Sequence, residues 1–120
     1  MSAPLVIDPQ TIENLRKLNP GDNDEFLREL VDIYLEDTPR RLVELDESLT
    51  ANDRPKFTRA AHSIKGSSAN LGASTVRAVA ETLEHRSATE NLASLAGLIT
   101  DLKAEFARAQ AEFARLLPRG

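Results

Sequence analysis

The chain contains no cysteine and no tryptophan, one tyrosine, one methionine and five glycines in its 120 residues. Without cysteine there can be no disulfide, no thiolate nucleophile and no thiolate metal ligand, which accords with a reducing compartment. No apolar run approaches the ~20 residues of a membrane span, and the N-terminal region shows no basic-then-apolar targeting pattern. Basic charge is not in excess. Lys+Arg total 15 against 19 Asp+Glu, a formal net charge of −4 that points to neither nucleic acid nor an anionic membrane as partner. There is no Gly-x-x-x-x-Gly-Lys nucleotide loop, no His-x-x-x-His pair, no internal repeat and no linker. What is abundant is Leu, Ala, Glu and Arg, a composition of helix formers. The expectation is one all-α domain over residues 1–120, long enough to bury a single core and cytoplasmic.

Periodicity and punctuation divide the chain into helices. Asp8-Pro9 reads as the N-cap and first residue of a short helix with Ile12, Leu15 and Leu18 on its apolar face, ended by Asn19-Pro20-Gly21. A second helix is expected from about Asn23 or Asp24, burying Leu27, Leu30, Val31, Tyr34, Leu42, Leu45 and Leu49. Pro39 interrupts it, and one long kinked helix is expected rather than a new start capped by Thr38. Asp53 or Arg54 leads into Pro55 at the head of a third helix that runs to Asn70 or Leu71 and stops at Gly72. A fourth covers about Ser74 to Ser87, with Val76, Val79, Ala80 and Leu83 inward. The last runs from Leu92 through Leu95, Ile99, Leu102, Phe106, Ala109, Phe113 and Leu116 in steps of three and four, and Pro118 closes it. Short turns between such helices imply an antiparallel up-down-up-down four-helix bundle, its core over about 12–116, with the short N-terminal helix as a cap.

The third helix carries more than packing explains. Phe57, Ala61, Ile64, Ser68 and Leu71 share one stripe, while Thr58, Arg59, His62, Lys65, Gly66 and Ala69 share the opposite, wet one. A neutral imidazole in water has a ring lone pair that can attack phosphorus and hold a phosphoryl group as a phosphoramidate. Lys65, one turn on, can offset the charge that spreads over the phosphoryl oxygens in a loose transition state. Gly66 costs the helix about 1 kcal/mol relative to alanine and clears the surface where a docking partner would approach. Taken singly, an exposed histidine, an exposed lysine and a kink-forming glycine each have an ordinary structural explanation. Ser67 and Ser68 lie towards the flank and core, where small size for helix crossing explains them as well as phosphate binding does. Arg59 stands one turn before His62, placed for an acidic partner or for solubility.

His62-x-x-Lys65-Gly66-Ser67-Ser68 followed by Gly72-Ala73 closely resembles the signature of histidine-containing phosphotransfer (HPt) domains. Phe26-Leu-x-x-Leu, Tyr34-Leu35-Glu36-Asp37, Pro39 and Leu83-Glu84 extend the resemblance over roughly Ile12 to Leu116. The resemblance implies a phosphorelay intermediate. His62 would accept a phosphoryl group from an aspartate of a response-regulator receiver domain and pass it to another, or back. Lys65 would contact the phosphate, and Gly66 would permit close docking. Family members often hold the imidazole through a glutamine on the next helix, and Glu84 is the equivalent here, able to orient the ring. The implied partners are receiver domains and a hybrid histidine kinase, with no cofactor of the chain's own, since any Mg2+ would belong to the receiver.

Other readings are weaker. An ATP-dependent kinase needs a catalytic domain that this chain does not supply. A metal site would have only His85 with Glu81 at i−4, so metal ligands are predicted to be none. The alternative of a different class is a non-transferring bundle that binds response regulators, but loss of transfer would be expected to remove His62 or Lys65 first. A monomer is expected because the seam of the last helix is consumed within the bundle. An initial Met and a complete bundle are what a free-standing shuttle would show, and a domain cut from a hybrid kinase would look the same.

Overall fold

The Asp8 carboxylate accepts the backbone N–H of Gln10 at 3.1 Å, and Pro9 brings a preset φ, so the first helix starts there: α1, Pro9–Arg16. The structure is a computed structural model and describes residues 5–118. Asn23 and Asp24 then turn through left-handed φ values of 59° and 65°. Asp22, rather than the residue adjoining it, caps the second helix: its carboxylate accepts from the backbone N–H groups of Asp24 at 3.1 Å and Phe26 at 3.0 Å.

The second helix, α2 (Glu25–Ala51), runs unbroken through Pro39. Proline there leaves the Leu35 carbonyl without its helical donor. The helix survives because Tyr34 and Thr38 on one side and Leu42 and Leu45 on the other are buried in the same core. The third helix, α3 (Arg54–Leu71), is capped by Asp53, whose side chain accepts from Lys56 N–H at 3.2 Å. It stops at Gly72, which adopts φ 72° while Ala73 N–H closes on the Ser68 carbonyl at 2.8 Å. The fourth is α4 (Ser74–Ser87).

Leu92 does not begin the last α-helix. Leu92–Leu95 forms a 3-10 turn, and α5 is Ala96–Leu116. The Asn91 side chain accepts from Ala93 N–H at 3.2 Å, and its carbonyl takes Ser94 N–H at 3.0 Å, closing a three-residue turn. In that tighter coil residues three apart eclipse, so Leu92 and Leu95 both point wholly inward.

Cross-helix contacts give the directions. Tyr34 meets Ser68 and Glu47 meets Lys56 between α2 and α3, while Thr58 meets Ser87 and His62 meets Glu84 between α3 and α4. Asp46 with Lys103, and Tyr34 with Phe106 and Phe113, join α2 to α5. Each pair runs antiparallel, and the four long helices close a bundle around Leu27, Leu45, Phe57, Ile64, Leu83, Leu102 and Phe113. The chain before α1 is pinned across the α3–α4 turn: Asp8 N–H bonds the Gly72 carbonyl at 2.8 Å and Ser74 N–H the Val6 carbonyl at 3.0 Å.

Two further expectations fail locally. Leu18 is exposed, because α1 ends at Arg16 and the chain has already turned away from the core. Thr58 is half-buried rather than wet: its hydroxyl lies 2.7 Å from that of Ser87, and contact with α4 covers that flank of α3.

Candidate functional site

The α3–α4 hairpin builds the site. Gly72 supplies a left-handed stop that residues with a Cβ resist, and the helices fold back antiparallel about Gly72-Ala73. Ala73 lies midway between His62 and Glu84 in sequence, so the hairpin sets those two residues side by side.

There His62 Nδ1 is 2.7 Å from Glu84 Oε2. Lys65 Nζ is 2.6 Å from Glu84 Oε1. One carboxylate therefore holds both the imidazole and the ammonium. The His62 side chain is 64% exposed, whereas those of Lys65 and Glu84 are 31% and 23% exposed, so the ring stands proud of the pair that anchors it.

Partial burial is the largest single influence on Glu84 and pushes its carboxyl up. The hydrogen bonds and charges of Lys65 and His62 together outweigh it, and the group stays below the usual carboxylate range. An ionised carboxylate can only accept hydrogen bonds. The proton on the imidazole therefore sits on Nδ1 and is donated to Glu84, which leaves Nε2 as the lone-pair nitrogen of the neutral ring.

Gly66 is exposed on the same helix, and a methyl group added there would meet nothing within 4 Å. No packing contact among the described residues requires a glycine. Ala69 continues this uncharged strip and Arg59 flanks it, both exposed. Beside it, Ile33 of α2 is 64% exposed above a recess lined by Leu30, Tyr34, Ser67 and Leu71.

The two serines point elsewhere. Ser68 is fully buried with its hydroxyl 2.8 Å from that of Tyr34, tying α3 to α2 beneath the surface. Ser67 donates to the carbonyls of Ser63 at 3.1 Å and Ile64 at 3.3 Å. Neither hydroxyl joins the His62–Glu84–Lys65 group. Sequence reasoning paired Glu84 with the imidazole but missed its bond to Lys65. The signal was available: a hairpin centred on Ala73 brings an acid on α4 opposite both residues of the wet stripe.

A helical bundle with a histidine anchored through one nitrogen and open at the other defines a class, and comparison with known proteins gives it a family. The Hpt domain family model matches residues 29–112. The chain belongs to the Hpt domain family. Multistep phosphorelay regulator 1 of Schizosaccharomyces pombe (strain 972 / ATCC 24843) is 31% identical over 80 residues. That match covers 67% of this chain and 27% of the regulator, so the chain spans about a quarter of that relative's length. Among solved structures, histidine-containing phosphotransfer protein B from Pseudomonas aeruginosa PAO1 superposes with a TM-score of 0.86 at 29% identity, covering 99% of both chains. The HPT domain of the Hpt sensor hybrid histidine kinase from Shewanella gives 0.72 at 18% identity over 93% of each chain, a likeness of fold. No helix among the described residues is long and apolar enough to cross a membrane.

Proposed function

We propose that this chain is a phosphorelay intermediate whose His62 accepts a phosphoryl group from a receiver-domain aspartate and yields it to another receiver, or back. The observation that carries the reading is the 2.7 Å contact between Nδ1 and Glu84, which leaves Nε2 as the free nucleophile on an exposed ring. In-line attack by the Nε2 lone pair forms the N–P bond as the P–O bond to the donor aspartate breaks, and that electron pair leaves with the carboxylate. Lys65, held one helical turn away, supplies positive charge to the phosphoryl oxygens as the transition state spreads charge over them.

Docking in this reading uses the exposed face of α2 and α3: Gly66 and Ala69 with Ile33 at its apolar centre, Arg59 and Lys65 at its charged edge. A receiver domain must bring its aspartyl phosphate within bonding distance of Nε2, and the bare surface at Gly66 supports that approach. The chain itself contributes no kinase activity, cofactor or metal; Mg2+ belongs to the receiver, and a hybrid histidine kinase supplies the phosphoryl group. It acts in the cytoplasm, as a monomer.

The test is transfer from a panel of phosphorylated receiver domains to the protein and to His62→Gln, scored as acid-labile, base-stable phosphate. Label on the first and none on the second is expected. Binding to a receiver without label on His62 would sink transfer and leave an adaptor.

A further inference from the structure

The carboxylate at position 84 does more than steer a ring. Its two oxygens are committed to different partners, Oε2 to His62 Nδ1 at 2.7 Å and Oε1 to Lys65 Nζ at 2.6 Å, and its side chain is the least exposed of the three. Other charged groups stand on all three helices around the ring. On α3, Arg59 is exposed one turn before. On α4, Glu81 pairs with Arg77 at 3.4 Å, and His85 is exposed. The antiparallel register of α2 brings Asp37, Arg40, Arg41 and Glu44 level with His62, where Arg41 binds Asp37 at 3.4 Å and Glu44 at 2.9 Å. Glu84 is the carboxylate that touches the imidazole.

We propose that Glu84 is a positioning residue that shortens the life of the phosphoryl group on His62, by keeping the proton on Nδ1 once Nε2 is phosphorylated and so holding the N–P bond in its cationic, readily broken form. This inference rests on the relay reading above. When Nε2 gives its lone pair to phosphorus while Nδ1 keeps its proton, the ring becomes a cation. A carboxylate 2.7 Å from that proton stabilises the cation. On onward transfer the acceptor carboxylate forms a P–O bond, the N–P bond breaks, and its electron pair returns to Nε2, leaving a neutral imidazole. No proton enters or leaves in either direction. If the Nδ1 proton is lost to water, the departing group must instead be imidazolate, a far poorer leaving group. Lys65 completes the arrangement: the phosphoryl group brings negative charge beside its ammonium, which can turn from Oε1 to the new oxygens and leave the carboxylate to the ring.

The test loads the whole protein with potassium phosphoramidate and follows the phosphohistidine lifetime from about pH 5.5 to 9 in the wild type, Glu84→Gln and Glu84→Asp. Glutamine keeps the size and the hydrogen-bond acceptor but removes the charge. The expected result is a lifetime about tenfold longer in Glu84→Gln near pH 8, converging with the wild type near pH 5.5, where water protonates both rings. The 31P shift of the phosphohistidine should titrate at lower pH in Glu84→Gln, with Glu84→Asp closer to the wild type. Equal lifetimes at pH 8, a ratio constant across pH, or an unmoved 31P titration would each overturn the proposal, as would failure of phosphoramidate to label His62. The relay reading fails separately: label from phosphoramidate with the Glu84-dependent profile, but from no receiver, supports this inference and removes the relay. A receiver that labels both proteins with equal lifetimes does the reverse.

Discussion

At the scale of the residue, two substitutions separate charge from access. Lys65→Ala removes the ammonium from Glu84 and, on the relay reading, from beside the phosphoryl group. Because its charge matters most as the group moves, transfer should slow by about tenfold or more while affinity for the receiver falls by less. Single-turnover transfer read against a binding isotherm checks this, and equal losses in both would make Lys65 a binding residue only. Gly66 offers the opposite experiment. Its side is open space, so Gly66→Ala fits and should stabilise α3 by up to about 1 kcal/mol in urea denaturation. Gly66→Gln should keep the circular dichroism of the wild type and still block transfer by bulk at the docking face. An unchanged transfer rate in that variant would end the docking role of the glycine.

At the scale of the element, the α3–α4 hairpin depends on one backbone conformation. Gly72 adopts φ 72°, and a Cβ there would lie 2.8 Å from the Cβ of Thr11 on α1. Gly72→Ala should cost about 2–4 kcal/mol, from the left-handed strain and the overlap together. Thr11→Ser should not relieve it, since the nearest atom is the Cβ that serine also has. Denaturation midpoints of the single and double variants test the point, and partial rescue would assign the cost to the methyl instead. In α2 the Thr38 hydroxyl is buried and finds no hydrogen-bond partner among the described residues. Thr38→Val replaces it with a methyl of the same shape and should stabilise the fold by about 1 kcal/mol. A loss of stability would mean that the hydroxyl is satisfied in solution.

At the scale of the whole molecule, the bundle is tied through its middle by Tyr34, which touches Phe106 and Phe113 of α5 and bonds Ser68 of α3. Burial pushes its phenol up to about 12, with the Ser68 hydrogen bond pulling the other way. An unfolded tyrosine ionises near pH ~10, and the folded state favours the protonated form. The stability this contributes is therefore complete below pH ~10 and lost as pH rises from there towards about 12. The wild type should lose roughly 2–3 kcal/mol more than Tyr34→Phe over that window. Parallel slopes for the two proteins in alkaline urea titrations would show that Tyr34 does not carry the effect.

The helices and the wet stripe were legible in the amino-acid order alone, because their signals are local. Asp8-Pro9, Asp53 and Gly72 set helix ends through bonds to residues a few positions away, and a 3.6-residue period decides which residues share a face. On the same ground His62, Lys65 and Gly66 were legible as one set on a single helix face, and the family motif as well, although Lys65 is half-buried against Glu84. Contacts between helices were not legible in this way, since they depend on register and depth. Sequence could not say that Leu18 turns to solvent, that Thr58 is covered by Ser87, or that Ser68, already placed on the core stripe, bonds Tyr34 there. Nor did it show that Leu92 and Leu95 share a 3-10 turn, which local capping and burial decided together. Above all, the tertiary structure put one carboxylate between an imidazole and an ammonium. His62 and Lys65 are neighbours along one helix, but Glu84 reaches both only because the chain turns back at Gly72, and its contact with the ring engages Nδ1 rather than Nε2.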